Sequence, residues 1–156
     1  MADGVYAQIC ALEYRYARLL DEDRLEAWPE LFEPGGVYRV VPRENRGREP
    51  ELAIMSCDGQ GMMRDRVRSL REANVYNIHQ PRHIVTNVEV LGTEGGAHQV
   101  ACCYTVYQTD QEGTTRLYSV GQYLDLVAFT ADGPRFRRKL VVVDSFAIPN
   151  LLAIPL

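Results

Sequence analysis

Three histidines and four cysteines are the residues of this chain best suited to hold a metal ion or relay a proton. His79 and His83 stand four apart, a spacing that on a helix would aim both imidazoles at one ion. Pro81 lies between them and removes the helix, so no zinc pair follows. A two-histidine, one-carboxylate iron site would need two of His79, His83 and His98 to converge, and their spacing gives no reason to expect it. His83 opens a strand and is expected to be a hydrogen-bonded structural residue; His98, beside a Gly-Gly turn, is expected to be solvated. Cysteines at 10, 57, 102 and 103 form no CxxC pair. They read as small core residues of a reducing cytosol, with Cys102 and Cys103 on opposite faces of a strand. Gly59-Gln60-Gly61 is too short to cradle a phosphate, and the sequence contains no GxSxG or dinucleotide fingerprint. Acid–base chemistry by this chain alone would have to recruit His83, Asp58, Tyr38, Tyr104 and Tyr123 into one pocket. Otherwise the tyrosines are interior packing with satisfied hydroxyls.

The arginines suggest contacts rather than catalysis. Arg64, Arg66, Arg68 and Arg71 spread around a predicted helix, either as a solvated face paired locally with Asp65 and Glu72 or as an interface helix. In the run from Arg135 to Lys139, strict alternation puts Arg138 on the apolar face with Phe136 and Leu140. An arginine buried there needs a carboxylate: Asp125 or Asp144 of this chain, one on a neighbouring subunit, or one on a ligand. Residues 147–156 are apolar and carry two prolines, which forbid a regular helix or central strand. Such a segment is expected to be buried, on its own domain or against a partner.

Elements able to position these residues follow from hydrophobic period. Residues 2–20 predict an amphipathic helix starting near Asp3, with Val5, Ile9, Leu12, Tyr16 and Leu19 on one face. Asp23 and Glu26 have capping-box spacing for a short second helix carrying Leu25, Trp28 and Phe32, ended by Pro34-Gly35-Gly36. Val37 to Arg43 predicts a strand, 44–61 a long loop, and 62–74 a helix buried through Met63, Val67 and Leu70. Alternating strands then run from Arg82, with Ile84, Thr86, Val88 and Val90 on one face. Turns at 92–96, 110–113 and Asp132-Gly133 separate the strands up to Ser145. Helices first and strands after predict an α+β fold, one domain over 1–156, with helices covering one face of a curved antiparallel sheet. A net charge of −4 argues against a nucleic-acid partner. No apolar run reaches the ~20 residues of a membrane span. The first residues lack the basic and apolar regions of a signal peptide, so the expected location is the cytoplasm.

The order of several short strings carries a resemblance over essentially the whole chain. They are Leu19-Leu20-Asp21-Glu22-Asp23-Arg24 to Trp28-Pro29-Glu30-Leu31-Phe32, then Val37-Tyr38-Arg39-Val40 and Asp65 through Tyr76. Arg82-His83-Ile84-Val85-Thr86-Asn87, Gly121-Gln122-Tyr123-Leu124-Asp125 and the stretch from Arg138 to the Pro155-Leu156 ending complete the set. The chain resembles the small (beta) subunits of Rieske non-heme iron ring-hydroxylating dioxygenases, on the branch of terephthalate dioxygenase and salicylate hydroxylase. The resemblance implies a cone-shaped fold of the nuclear-transport-factor-2-like (cystatin-like) class. It implies an oxidoreductase subunit without catalytic residues or cofactors of its own. A large alpha subunit would carry the Rieske 2Fe-2S cluster and mononuclear iron in an α3β3 hexamer with beta–beta contacts, fed with NADH electrons by a reductase or ferredoxin. The ring oxidised would be an aromatic acid such as terephthalate, salicylate or anthranilate. Trp28, Phe32, Arg64, Arg68, Arg71, Arg138, Leu151, Leu152 and Leu156 are the expected interface residues. The other functions open to the fold are a stand-alone dehydratase or isomerase using the cone, and a non-enzymatic binding scaffold.

Overall fold

The computed structural model describes residues 3–72, 78–144 and 152–156. Helix α1 (Asp3–Asp21) buries Ile9, Leu12, Tyr16 and Leu19, as its period predicts. Asp23 takes a positive φ of 55°, and the chain enters a 3-10 turn, Leu25–Leu31, that buries Leu25, Trp28 and Leu31. The expected capping box does not form. No side chain caps this turn. Asp23 and Glu26 instead both grip Arg71, at 2.8–2.9 Å and 2.8–3.0 Å. A guanidinium that offers paired, charged donors outcompetes a backbone N–H for those carboxylates.

Phe32 is not on that helix; it opens strand β1 (Phe32–Pro42). Pro34-Gly35-Gly36 is a bulge inside the strand, because pairing with β6 jumps from Phe32/Phe136 to Val37/Arg138. Gly36 is needed there: a Cβ would come within 2.9 Å of both the Glu33 and Phe136 carbonyl oxygens. Residues 44–61 are not one loop. They hold strand β2 (Met55–Asp58), which buries Met55 and Cys57 alternately along the edge of β1, and the start of helix α2 (Gln60–Glu72). Met63, Val67 and Leu70 are buried, as predicted; positions 73 and 74 of the predicted helix lie outside the described residues.

Strands β3 (His79–Glu94), β4 (Ala97–Asp110), β5 (Thr115–Thr130) and β6 (Gly133–Val143) form an antiparallel meander. The sheet order is β2-β1-β6-β5-β4-β3, and the β1–β6 joint is parallel. Helix α1 lies along the open β3 edge. Tyr6 donates to the Val88 carbonyl at 3.1 Å, and the Asp21 carboxylate accepts the His83 backbone N–H at 3.0 Å. A covered edge cannot template pairing with another chain.

Two bulges change which side chains face inward. In β3 the pairing shifts between Thr86 and Glu89, where Asn87 has φ 56°. Val85 packs on the core before the bulge, Val88 and Val90 after it, and Ile84 is 45% exposed rather than sharing their face. In β6 the pairing passes from Val127/Phe136 to Leu126/Arg138, so Arg137 is the extra residue. Phe136 and Lys139 therefore both point into the core. Lys139, not Arg138, is the buried cation.

Candidate functional site

The cone's interior is filled by aromatic rings and by the chain's own last residues. Tyr16, Trp28, Phe32, Tyr38 and Phe136 meet mostly edge-to-face at 5.1–6.3 Å between centroids, and Tyr104 stacks on Tyr123 at 4.6 Å. Gly121 makes room for the Tyr104 ring, since a Cβ would approach it to 2.9 Å. Into this cluster runs the segment 152–156. Tyr16 donates its hydroxyl to the Leu156 backbone oxygen at 2.5 Å, and Tyr38 donates to the same oxygen at 3.3 Å. The Leu156 N–H donates to the Tyr38 hydroxyl at 2.9 Å, and Arg66 donates to the Leu152 oxygen at 2.9 Å. Burial, the largest cause, pushes the Tyr38 hydroxyl up to about 12 and Tyr16 well above its ordinary value, so both stay protonated donors at neutral pH. Of the two destinations open to the apolar segment, residues 152–156 take the one within their own chain.

A histidine–aspartate pair stands at the rim. The His83 ring Nδ1 is 2.6 Å from Asp21 Oδ1, and the side chains are 1% and 6% exposed. Because Asp21 also accepts the His83 backbone N–H, the helix end and the strand edge lock the ring. His83 Nε2 has no hydrogen-bond partner among the described residues. On the inner side His83, His79, Gln108, Tyr118 and residues 153–156 border a cavity of about 10 Å³, the lower limit for one water. On the outer side a groove of about 360 Å³ between α1 and β3 is lined by Tyr14, Arg18, Asp21, Arg82, His83 and Ile84. The other members of the stand-alone set do not join this pair. Asp58 is exposed on β2 and sits 3.5 Å from Arg39. Tyr104 bonds Ser119 at 2.9 Å, and Tyr38 is engaged with Leu156.

The second charged cluster is sealed. Lys139 Nζ lies 2.6 Å from Asp125 Oδ2 and 2.9 Å from Glu13 Oε2, all three side chains having no exposure. Its ammonium also sits 3.8 Å from the Tyr123 ring centroid and 4.4 Å from those of Tyr16 and Phe136. Burial raises Asp125 well above the usual carboxylate range, and Glu13 raises it further against the pull of Lys139. Burial alone would lower Lys139; Asp125 and Glu13 outweigh it and hold the ammonium above its ordinary value. Asp125, buried beside a second carboxyl, therefore favours its protonated form. Glu13 Oε1 and Asp125 Oδ1 find no donor among the described residues. Sequence reading missed this cluster. A glutamate on the apolar stripe of α1, between Ile9 and Tyr16, was the available signal.

The structure separates the candidate interface residues. Trp28, Phe32, Leu152 and Leu156 are buried within the chain itself, so their side chains cannot also contact a partner in this conformation. Arg71 is held by Asp23 and Glu26. Arg64 and Arg68 are exposed on α2, with Arg64 bonded to Gln60 at 2.9 Å. Arg138 is half-buried, and both of its expected partners are engaged elsewhere: Asp125 with Lys139, and Asp144 with Arg43 at 3.7 Å. Leu151 lies outside the described residues. An unanticipated apolar patch occupies the outer face of the sheet. There Ile84 and Val120 flank Thr105 in register, and Tyr107 pairs with Leu117. Among the described residues no three His, Cys, Asp or Glu side chains gather as metal ligands. No helix among them is long and apolar enough to cross a membrane.

Comparison with known proteins gives a consistent result. Residues 15–150 match the family described as ring hydroxylating beta subunit. The anthranilate 1,2-dioxygenase small subunit of Burkholderia cepacia is 39% identical, over 96% of this chain and 92% of that protein. A beta subunit of the terephthalate 1,2-dioxygenase terminal oxygenase of a Comamonas species is 33% identical, over 96% and 97%. A crystal structure from Novosphingobium aromaticivorans, assigned as the beta subunit of an aromatic-ring-hydroxylating dioxygenase, superposes with a TM-score of 0.90 at 35% identity, covering 99% of each chain.

Proposed function

Because the chain belongs to the ring-hydroxylating beta-subunit family, we propose that it is the architectural subunit of an aromatic-acid dioxygenase, with residues 1–156 as one domain. Oxygen chemistry belongs to a large partner subunit carrying a Rieske cluster and a mononuclear iron, in an α3β3 assembly in the cytoplasm supplied with NADH electrons by a reductase or ferredoxin. The carrying observation is that the cone's interior is filled by its own aromatic rings and by residues 152–156, leaving on the inner side of His83–Asp21 a cavity of about 10 Å³ that no aromatic substrate can enter, while the larger groove on the outer side is an open surface cleft. The described residues of this chain do not suit either metal centre, since none of them form a three-ligand cluster.

The substrate proposed is a benzene ring bearing an acid group. The relatives at 39% and 33% identity are named for anthranilate and terephthalate, both aromatic carboxylates, and the higher identity makes 2-aminobenzoate the first compound to test. Exposed Arg64 and Arg68 on α2 and the Ile84–Tyr107–Leu117–Val120 face are the proposed contact surfaces with the other subunits. In an assay of 2-aminobenzoate consumption with O2, NADH and a reductase, this chain alone should show no turnover. Co-expression with its large subunit should give turnover and co-purification. Turnover by the isolated chain would contradict the proposal.

A further inference from the structure

We propose that the cleft between α1 and the β5–β6 hairpin is a binding site for a small carboxylate on a flat apolar body, of which benzoate is the simplest. Its first wall is one face of α1, where Gln8, Leu12 and Arg15 follow at helical steps of four and three. Its second wall is the end of the hairpin, which supplies Asp132 and Arg135. Leu31 of the 3-10 turn closes the bottom. The cleft holds about 200 Å³, below the roughly 300–1,000 Å³ of sites for drug-sized ligands, and so suits a single ring.

Charge selects an anion. The chain as a whole stands at −4, yet this cleft gathers two guanidiniums against one carboxylate. The neighbouring Arg137 is claimed by Glu33 at 2.9 Å. Arg15 and Arg135 are claimed by no carboxylate among the described residues, Asp132 included. Arg135 is half-buried, and its Nη1 donates to the Pro134 carbonyl oxygen at 3.0 Å. That bond fixes the guanidinium and leaves its other donors for a ligand. A guanidinium fork matches the two oxygens of a carboxylate, and Arg15 adds a second positive charge from the opposite wall.

The floor and walls select a flat apolar body. Leu12 and Leu31 are 5% and 1% exposed and belong to the core, so the floor is preformed. The aliphatic stems of the two arginines flank it, and a guanidinium plane stacks on an aromatic face.

The test is a titration of the full chain, without other subunits, followed by amide NMR. Benzoate should bind saturably with a Kd of about 1 mM. It should move the amide signals of Gln8, Arg15 and Arg135 and leave those of His83 and Ile84, in the outer groove, in place. Benzamide keeps the ring and loses the charge; acetate keeps the charge and loses the ring. Each should bind at least about tenfold more weakly. Acetate as tight as benzoate would mean that the cleft takes any carboxylate, such as an acidic side chain of a partner, and overturns the proposal, as does benzamide as tight as benzoate. Arg15→Gln and Arg135→Gln should each weaken benzoate at least about fivefold with unchanged circular dichroism, and Arg18→Gln, in the outer groove, by less than about twofold. No saturation below about 20 mM, or an equal loss in Arg18→Gln, overturns it as well. Assembly with a large subunit enters none of these measurements, so their failure leaves the architectural role standing.

Discussion

The two buried charged clusters differ in how they are enclosed. Around Lys139 every direction is closed: two carboxyls take the ammonium's hydrogen bonds, and three rings cover the rest. Around His83 the closure is partial. Asp21 fixes one ring nitrogen, the other has no partner among the described residues, and a groove of about 360 Å³ opens on the outer side. Depth of burial therefore does not distinguish a site that could act from one that only holds the fold. The sealed cluster joins α1, β5 and β6 across the core, whereas the rim pair joins the end of α1 to the sheet's edge strand.

The largest effect that separates them is on stability. Lys139→Ala should cost about 3–5 kcal/mol in urea unfolding, because it leaves two buried carboxyls without their cation. Lys139→Met should cost less, since it fills the same volume, and a Lys139→Ala chain as stable as wild type would break the contrast. The pH dependence comes next. Asp125 is raised in the folded state, so the native chain keeps a proton that the unfolded chain releases above the ordinary carboxylate range. Stability from this group is complete below about pH 4 and falls as pH rises toward the folded value, by up to about 1.4 kcal/mol per unit. Comparing urea unfolding at pH 5 and pH 7.5, Asp125→Asn should reduce that loss. An unchanged slope would contradict a raised Asp125 in the folded state.

Smaller effects belong to the rim. Asp21→Ala should cost about 1–3 kcal/mol, because it strips a buried acceptor from the His83 backbone N–H and ring. At the surface, Arg68→Glu should change stability by no more than about 0.5 kcal/mol while weakening co-purification with the large subunit. A variant that assembles normally would take α2 out of the proposed contact surface.

What was legible in the sequence followed from local period. The stripe Ile9, Leu12, Tyr16, Leu19 and the trio Met63, Val67, Leu70 are buried as spacing predicts, because 3.6-residue repetition is a property of neighbouring positions. The meander was readable from alternation and turns for the same reason. Lys139 was not, because a single extra residue at Arg137 reverses the phase of the strand, and alternation carries no mark of a bulge. The parallel β1–β6 joint and the contact of Tyr16 with Leu156, 140 positions away, depend on chain closure that no local window contains. Asp23 and Glu26 were misread as a cap because the arginine that claims them lies 45 or more positions later.

The central claim is that this chain positions its partners and does no chemistry. Its most direct test is the assembled oxygenase carrying His83→Asn, assayed for 2-aminobenzoate turnover per intact complex. Turnover within about twofold of wild type is the predicted result, since an orienting group outside the reacting site acts through assembly alone. A loss of about a hundredfold or more in a complex of unchanged size would place His83 in the chemistry and contradict the account.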